Sequence, residues 1–173
     1  MAKATGSISD TFCNKFYATV TESVVNTLTF KEIMTNVSIF DKAAWIVQRL
    51  EWYFDVASVA QLTTAAKLIQ VALTATDKTT SLGLDNPSVI DNFQLSVLYQ
   101  SAVGQQLYSM PFTRDFTNLS GGGLIIAPRP LFIGLKGTGL ATAAVCSLRG
   151  YFTSLSLTSD NYFELIDFYR IVS

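Results

Sequence analysis

The chain carries carboxylates at spacings that could serve acid and base catalysis. Glu51 and Asp55 stand four residues apart in a segment with strand-like alternation, so their side chains would share one face. Three more carboxylates fall in a segment predicted to be a short helix near the C-terminus, namely Asp160, Glu164 and Asp167. Glycoside hydrolysis needs two such groups about 5 to 10 Å apart.

Structural roles for the same carboxylates are the favoured alternative. Glu51 could pair with Arg49 or with a neighbouring strand. The other three would form an acidic cluster near a helix N-terminus, where the helix dipole stabilises negative charge. Because few charges occur elsewhere in the chain, we favour these structural roles, and we expect that the protein is not an enzyme.

Histidine, the commonest general base and metal ligand, is absent from the sequence. Cys13 and Cys146 are the only cysteines, and they lack the CxxC spacing of zinc or redox sites. We predict two free thiols, with a single bridge as the alternative. The sequence therefore predicts no metal, no cofactor and no small-molecule substrate.

The glycines of the stretch TNLSGGGLIIAPRPLFIGLKGTG, residues 117–139, do not form a phosphate motif. A P-loop ends in Gly-Lys-Ser/Thr, whereas here Lys136 precedes Gly137. A dinucleotide fingerprint needs a third glycine and a following helix, and neither occurs after Gly139. The stretch instead predicts a bend that leads into a strand, with Pro128 and Pro130 suited to an edge or a bulge.

The composition indicates contact with other protein chains. Apolar residues make up 49% of the 173 residues and charged residues only 14%, against a usual charged share of about 25%. Apolar runs are far shorter than the roughly 20 residues of a membrane-spanning helix. The 12 basic and 13 acidic residues are interspersed, so a nucleic-acid patch is not expected. We therefore expect a homo-oligomer or a larger assembly.

Period-two alternation predicts seven or eight strands without a βαβ rhythm, which is typical of an antiparallel sandwich. In AAWIVQRLEWYFD, one predicted face carries Ile46, Leu50, Trp52 and Phe54, and the other carries Trp45, Val47, Arg49, Glu51 and Tyr53. Gly150 lies where the apolar parity shifts, which predicts a bulge or bend. Short helices are predicted after Asn36, at Ser58 to Ala65, and from Ser159 as N-cap.

Three blocks of the sequence together resemble a known family: TLTFKEIMTNVSIFDKAAWIVQRLEWYF, FTRDFTNLSGGGLIIAPRPLFIGLKG and AVCSLRGYFTSLSLTSDNYFELID. Their order is similar to that of small single-jelly-roll capsid proteins of icosahedral viruses and phages, over most of residues 24–168. The resemblance implies an all-β, antiparallel, eight-stranded jelly-roll β-sandwich with short helices in loops and near the C-terminus. Its strands B to I would form BIDG and CHEF sheets, in a domain spanning residues 24–173 after an arm or extended segment at 1–23.

The function that the resemblance implies is self-assembly into an icosahedral shell enclosing a genome, in a virion made in the host cytoplasm. Copies of the chain are the expected partners, and a second coat protein or an internal membrane stays open. The Arg-rich arm of many capsid proteins is missing, so genome contact should be weak or indirect. The candidate subunit-contact residues are Trp45, Tyr53, Gly121, Gly122, Gly123, Pro128, Arg129 and Pro130. The alternative is a trimeric β-sandwich that binds a receptor or a glycan.

Overall fold

The computed structural model describes residues 14–35, 42–55, 67–97, 111–127 and 130–172. These residues form nine strands and one helix. In chain order they are β1 (Asn14–Thr21), β2 (Thr29–Ile33), β3 (Ala43–Phe54), β4 (Lys67–Thr74), β5 (Val89–Val97), β6 (Phe112–Asp115), β7 (Leu124–Ile126), β8 (Leu131–Thr138), β9 (Val145–Ser156) and α1 (Ser159–Val172).

The strands form two antiparallel sheets. The first sheet has the order β1-β9-β3-β6, with β7 also paired to β3, and the second has the order β2-β8-β4-β5. Every pairing is antiparallel. The prediction of a mostly β, antiparallel, two-sheet protein is therefore confirmed.

The described residues contain nine strands where eight were predicted, because two short strands share one edge. β6 pairs with β3 at Arg49–Trp52, and β7 pairs with β3 at Trp45–Val47. Between them the chain turns through Gly121 and Gly122, whose φ angles of 92° and 77° lie in the left-handed region. Glycine adopts that region without steric cost, so the chain can turn here and return to the same neighbour.

The core lies between the sheets and is built from their alternating inward faces. Buried side chains with less than 2% exposure include Trp52, Leu50 and Leu148 from the first sheet, and Ile69, Ile133 and Leu135 from the second. Aromatic stacking extends this core towards β1, since the Trp45 ring lies 4.0 Å from Phe152 and 5.5 Å from Phe16.

A β-bulge in β3 overturns the predicted division of its faces. Val47 lies opposite Phe152 of β9, while Arg49 lies opposite Tyr151, so Gln48 is the extra residue. The bulge reverses the parity of the strand. Trp45 and Val47 before it and Leu50 and Trp52 after it are consequently all buried. The prediction that Trp45 and Leu50 face opposite sides is wrong.

Gly150 is not at a bulge, and that prediction is also wrong. It lies opposite Phe16 in a continuous register between β1 and β9. Buried positions in β9 alternate from Cys146 to Phe152 without a shift in parity. A Cβ atom at position 150 would overlap the Phe16 ring. The glycine therefore makes room for an aromatic side chain across the strands.

β1 lies within the first sheet, at its edge, and pairs with β9 along all eight of its residues. The segment predicted as an arm or extended segment, residues 1–23, thus contains a strand of the sandwich from Asn14 onward. Residues 1–13 lie outside the described residues.

The helix predicted near the C-terminus is present as α1. Its N-cap is Thr158 and not Ser159, since Asn161 N donates to Thr158 Oγ1 at 3.4 Å and Tyr162 N donates to Thr158 O at 3.0 Å. The helices predicted after Asn36 and at residues 58–65 fall largely outside the described residues, and Ala43 already belongs to β3. In the part of the chain that is described, no helix is long and apolar enough to cross a membrane.

Candidate functional site

The first sheet presents a polar, aromatic face on the side away from the second sheet. Strand pairing sets its side chains in rows: Lys15, Tyr151 and Arg49 lie side by side, and Tyr17, Arg149 and Glu51 form the next row. A third row holds Thr19, Ser147 and Tyr53. We call these nine residues the outer face.

Glu51 anchors the centre of the outer face. Its carboxylate accepts a hydrogen bond from the Tyr151 hydroxyl at 3.2 Å and pairs with Arg49 at 3.3 Å and with Arg149 at 3.8 Å. The Arg49 guanidinium also lies 4.2 Å from the centre of the Tyr151 ring, and the Lys15 ammonium lies 5.5 Å from it. Of the roles weighed for Glu51, the ion pairs with Arg49 and with a neighbouring strand are the ones that form.

The geometry does not favour a catalytic pair of Glu51 and Asp55. The Glu51 carboxylate is already paired with two guanidinium groups, those of Arg49 and Arg149. Asp55 follows the end of β3. Four residues of extended chain span about 13 Å, which exceeds the separation that glycoside hydrolysis uses.

A shallow groove of about 690 Å³ crosses the outer face between β1, β9 and β3. Tyr17, with 83% of its surface exposed, and Tyr53, with 47%, both line it. Lys15 and Arg149 add positive charge, and the Arg149 side chain is 60% exposed. The groove thus combines exposed aromatic rings with accessible cations, a composition typical of protein interfaces.

The predicted contact residues have different positions. Tyr53 is on the outer face and is exposed, so it is accessible to another subunit. Trp45, with 2% exposure, is packed between Phe16 and Phe152 in the core, so it cannot contact another subunit there. The bulge at Gln48 is the physical reason, because it turns the indole inward.

The glycine and proline candidates lie between β6 and β8. Gly121 and Gly122 are exposed in the turn, and Pro130 is exposed immediately before β8. Gly123 is buried instead. It packs so closely against β3 that a Cβ atom there would overlap Ile46 and the Val47 carbonyl oxygen. Pro128 and Arg129 lie outside the described residues.

One end of the sandwich is fixed by polar groups that the sequence pattern did not reveal. The buried Glu22 carboxylate accepts hydrogen bonds from Gly137 N at 2.6 Å and from Ala144 N at 2.8 Å. Asn26, at a φ of 61°, donates to Leu140 O and accepts from Leu140 N, both at 2.9 Å. The β1–β2 and β8–β9 loops are therefore joined. An Asp or Glu in a turn-rich segment gives no signal of burial, which explains the omission.

The β5–β6 side of the sandwich is closed by a second unpredicted group. Asp91, 3% exposed, accepts from Trp52 Nε1 at 3.3 Å and pairs with Arg114 at 3.3 Å. Burial raises the pKa of Asp91 above its ordinary value of 3.8, against the opposing effects of Arg114 and Trp52. Phe93 and Phe112 stack beside it with their ring centres 4.3 Å apart.

The acidic residues near the C-terminus lie on α1 and are exposed. Asp160 is in the first turn of the helix, where the helix dipole stabilises its negative charge. This is the structural role predicted for the acidic cluster. Glu164 and Asp167 continue the same helical face beside Phe163, which is 61% exposed. Among the described residues there is no group of three or more side chains suited to bind a metal ion.

Cys146 is a free, buried thiol, as predicted for this residue, and Cys13 lies outside the described residues. No protein-family model matches the chain, and no curated protein matches it either.

Proposed function

We propose that the protein is a structural capsid protein, a single jelly roll whose copies assemble into an icosahedral shell around a genome. The observation that carries the proposal is the order of strands in the two sheets. If β6 and β7 are two halves of one strand, the nine strands correspond to B, C, D, E, F, G, H and I in chain order. The orders β1-β9-β3-β6 and β2-β8-β4-β5 then equal B-I-D-G and C-H-E-F.

A fold alone does not specify a function, so the surface has to support the proposal too. Exposed apolar and aromatic side chains are spread over several sides of the sandwich, with Tyr17, Met34 and Leu84 each more than 65% exposed. Only 14% of the residues are charged. A surface of this composition favours burial against other chains, and identical chains with the same patches can form closed symmetric assemblies.

The rigid end of the sandwich supports the same role. Glu22 and Asn26 join two loops through four hydrogen bonds between them. A contact surface built on fixed loops loses little conformational entropy on association. Genome contact would be weak or indirect, because the 12 basic residues are interspersed with 13 acidic ones. On this proposal a second coat protein or an internal membrane would mediate that contact.

Assembly of the purified protein tests the proposal. We expect particles far larger than a monomer in light scattering, and closed shells or regular capsomers in electron micrographs, over a series of salt concentrations and pH values. A chain that stays monomeric at high concentration throughout the series would contradict the proposal. Addition of lipid vesicles to the same series covers the case of an internal membrane.

A trimeric receptor- or glycan-binding module is the second candidate, and the groove between Tyr17 and Tyr53 favours it. Exposed aromatic rings beside hydroxyl and charged groups can stack on and hydrogen-bond to a sugar. This candidate predicts a discrete trimer that never grows, together with binding on a glycan array that is lost in Tyr17→Ala. Growth beyond the trimer would favour the shell.

A further inference from the structure

We propose that α1 of one copy docks on the outer face of a neighbouring copy, with Phe163 in the groove and the helix carboxylates against Lys15 and Arg149. The inference rests on the proposed self-assembly and specifies one of its interfaces. The occupant is a second copy of this chain, because both surfaces are on the same molecule and carry opposite charge.

The helix presents an acidic and aromatic stripe. Asp160, Phe163, Glu164 and Asp167 have the spacing i, i+3, i+4 and i+7, and all four are exposed. This spacing places them on a single helical face. Tyr162, by contrast, is 5% exposed, so the helix is attached to its own subunit through another side.

The outer face supplies the complementary cations. Lys15 is exposed and the Arg149 side chain is 60% exposed. Glu51, the carboxylate in the middle of this face, is only 19% exposed and is held by Arg49 and Tyr151. Arg149 lies farther from Glu51, at 3.8 Å, than Arg49 does, at 3.3 Å. The exposed guanidinium of Arg149 can therefore pair with a second carboxylate on a partner, as can the ammonium of Lys15. The other carboxylates of the sheet, Asp55 and Asp115, lie at the end of β3 and on the edge strand β6.

Shape and energetics favour the same contact. Phe163 is a single large apolar side chain that is 61% exposed, and the groove is lined by the rings of Tyr17 and Tyr53. An aromatic anchor in a pocket with charged pairs at the rim is the usual arrangement of strong interface residues. A short helix is marginally stable in water by itself, so packing against a neighbour would also stabilise α1.

The contact joins two different surfaces, which makes it heterologous. Each copy can offer its helix to one neighbour and receive the helix of another. Contacts of this kind generate rings when the rotation closes, as the rings of subunits in a shell require.

Charge reversal on each surface provides the test. The first variant, Lys15→Glu/Arg149→Glu, reverses the outer face, and the second, Glu164→Lys/Asp167→Lys, reverses the helix while leaving Asp160 in the first turn. The matched controls are Lys31→Glu/Lys78→Glu and Asp77→Lys/Asp85→Lys, which make the same charge changes at exposed positions elsewhere. Circular dichroism and thermal melting establish that each variant is folded.

Sedimentation velocity then measures association. We expect each reversed variant alone to need at least about ten-fold more protein to associate than the wild type or the controls, since like charges now meet. An equimolar mixture should form a complex, because the acidic outer face of one variant can bind the basic helix of the other. Phe163→Ala should weaken wild-type association in the same direction without any change in charge.

Different failures have different meanings. If both reversed variants and Phe163→Ala assemble as the wild type does, the docking is wrong and the shell proposal stands. A mixture that remains as dissociated as its components also overturns the docking. A wild-type chain that never associates contradicts both proposals.

Discussion

Glu22 and Ala144 are joined by two hydrogen bonds that run in opposite directions. Glu22 N donates to Ala144 O at 3.0 Å, and Ala144 N donates to Glu22 Oε2 at 2.8 Å. The other carboxylate oxygen accepts from Gly137 N at 2.6 Å. A single buried side chain thus supplies acceptors for two amides that the strand ladders leave without partners, and it fixes the β1–β2 corner to the β8–β9 loop.

Replacement of Glu22 by alanine should destabilise the protein by about 2–5 kcal/mol, because two buried amides lose a charged acceptor. Glu22→Gln should cost less, since one oxygen remains. The measurement is the free energy of unfolding in urea. Glu32→Ala, at an exposed position on β2, is the control and should lie within about 0.5 kcal/mol of the wild type. An equally small effect at Glu22 would show that the loops are not held by its carboxylate.

Gly150→Ala should destabilise the protein by about 1–3 kcal/mol, because its methyl group would overlap the Phe16 ring. The smaller ring-free side chain in Phe16→Leu should relieve the overlap, so the double variant should be more stable than the sum of the two single effects predicts. Thermal unfolding of the four proteins measures this coupling. Strict additivity would mean that the two residues do not touch.

Asp91 should make stability depend on pH in the opposite sense to an ordinary paired carboxylate. Burial raises its pKa above 3.8, so the folded state holds the proton more tightly than the unfolded state. The contribution of Asp91 to stability is therefore fully present below pH 3.8 and is lost as the pH rises through the raised pKa.

Asp91→Asn isolates this contribution, since the amide keeps an acceptor for Trp52 Nε1 but does not titrate. Relative to this variant, the wild type should gain free energy of unfolding as the pH falls from about 7 towards 4. Urea unfolding at a series of pH values measures the difference. A wild type that instead loses stability relative to the variant would show that the ion pair with Arg114 dominates over burial.

Cys146 should be unreactive in the folded protein, because burial raises the pKa of its thiol and removes it from solvent. A Cys13→Ser variant leaves Cys146 as the only thiol. Its reaction with an aromatic disulfide reagent at pH 8 should be at least about a hundred-fold slower in buffer than in concentrated urea. Equal rates in the two solvents would contradict the burial of this residue.

The sequence pattern anticipates the sandwich because alternation has the same period as a strand. It fails in β3, where one extra residue, Gln48, reverses the parity and moves Trp45 into the core. The bulge is selected by tertiary pairing with β9 and leaves no mark in the sequence of β3. The shift predicted at Gly150 concerns a different strand, β9, and is absent there. Tyr53 was located correctly, because parity after the bulge is regular.

The sequence pattern does not predict the polar contacts of the interior. Glu22 precedes a turn-rich loop, and Asp91 lies within β5 directly after Val89 and Ile90. Only the fold brings Gly137, Ala144 and Arg114 to these two carboxylates. Glu51 was the exception, because its partner Arg49 is two residues away on the same strand face. Short sequence separation made that contact predictable.

The decisive measurement of shell assembly is electron cryomicroscopy of the protein at the concentration where light scattering first detects large particles. We expect closed shells with icosahedral symmetry in which each copy has the strand orders β1-β9-β3-β6 and β2-β8-β4-β5. A field of monomers or of discrete trimers, unchanged by salt, pH or lipid vesicles, would contradict it.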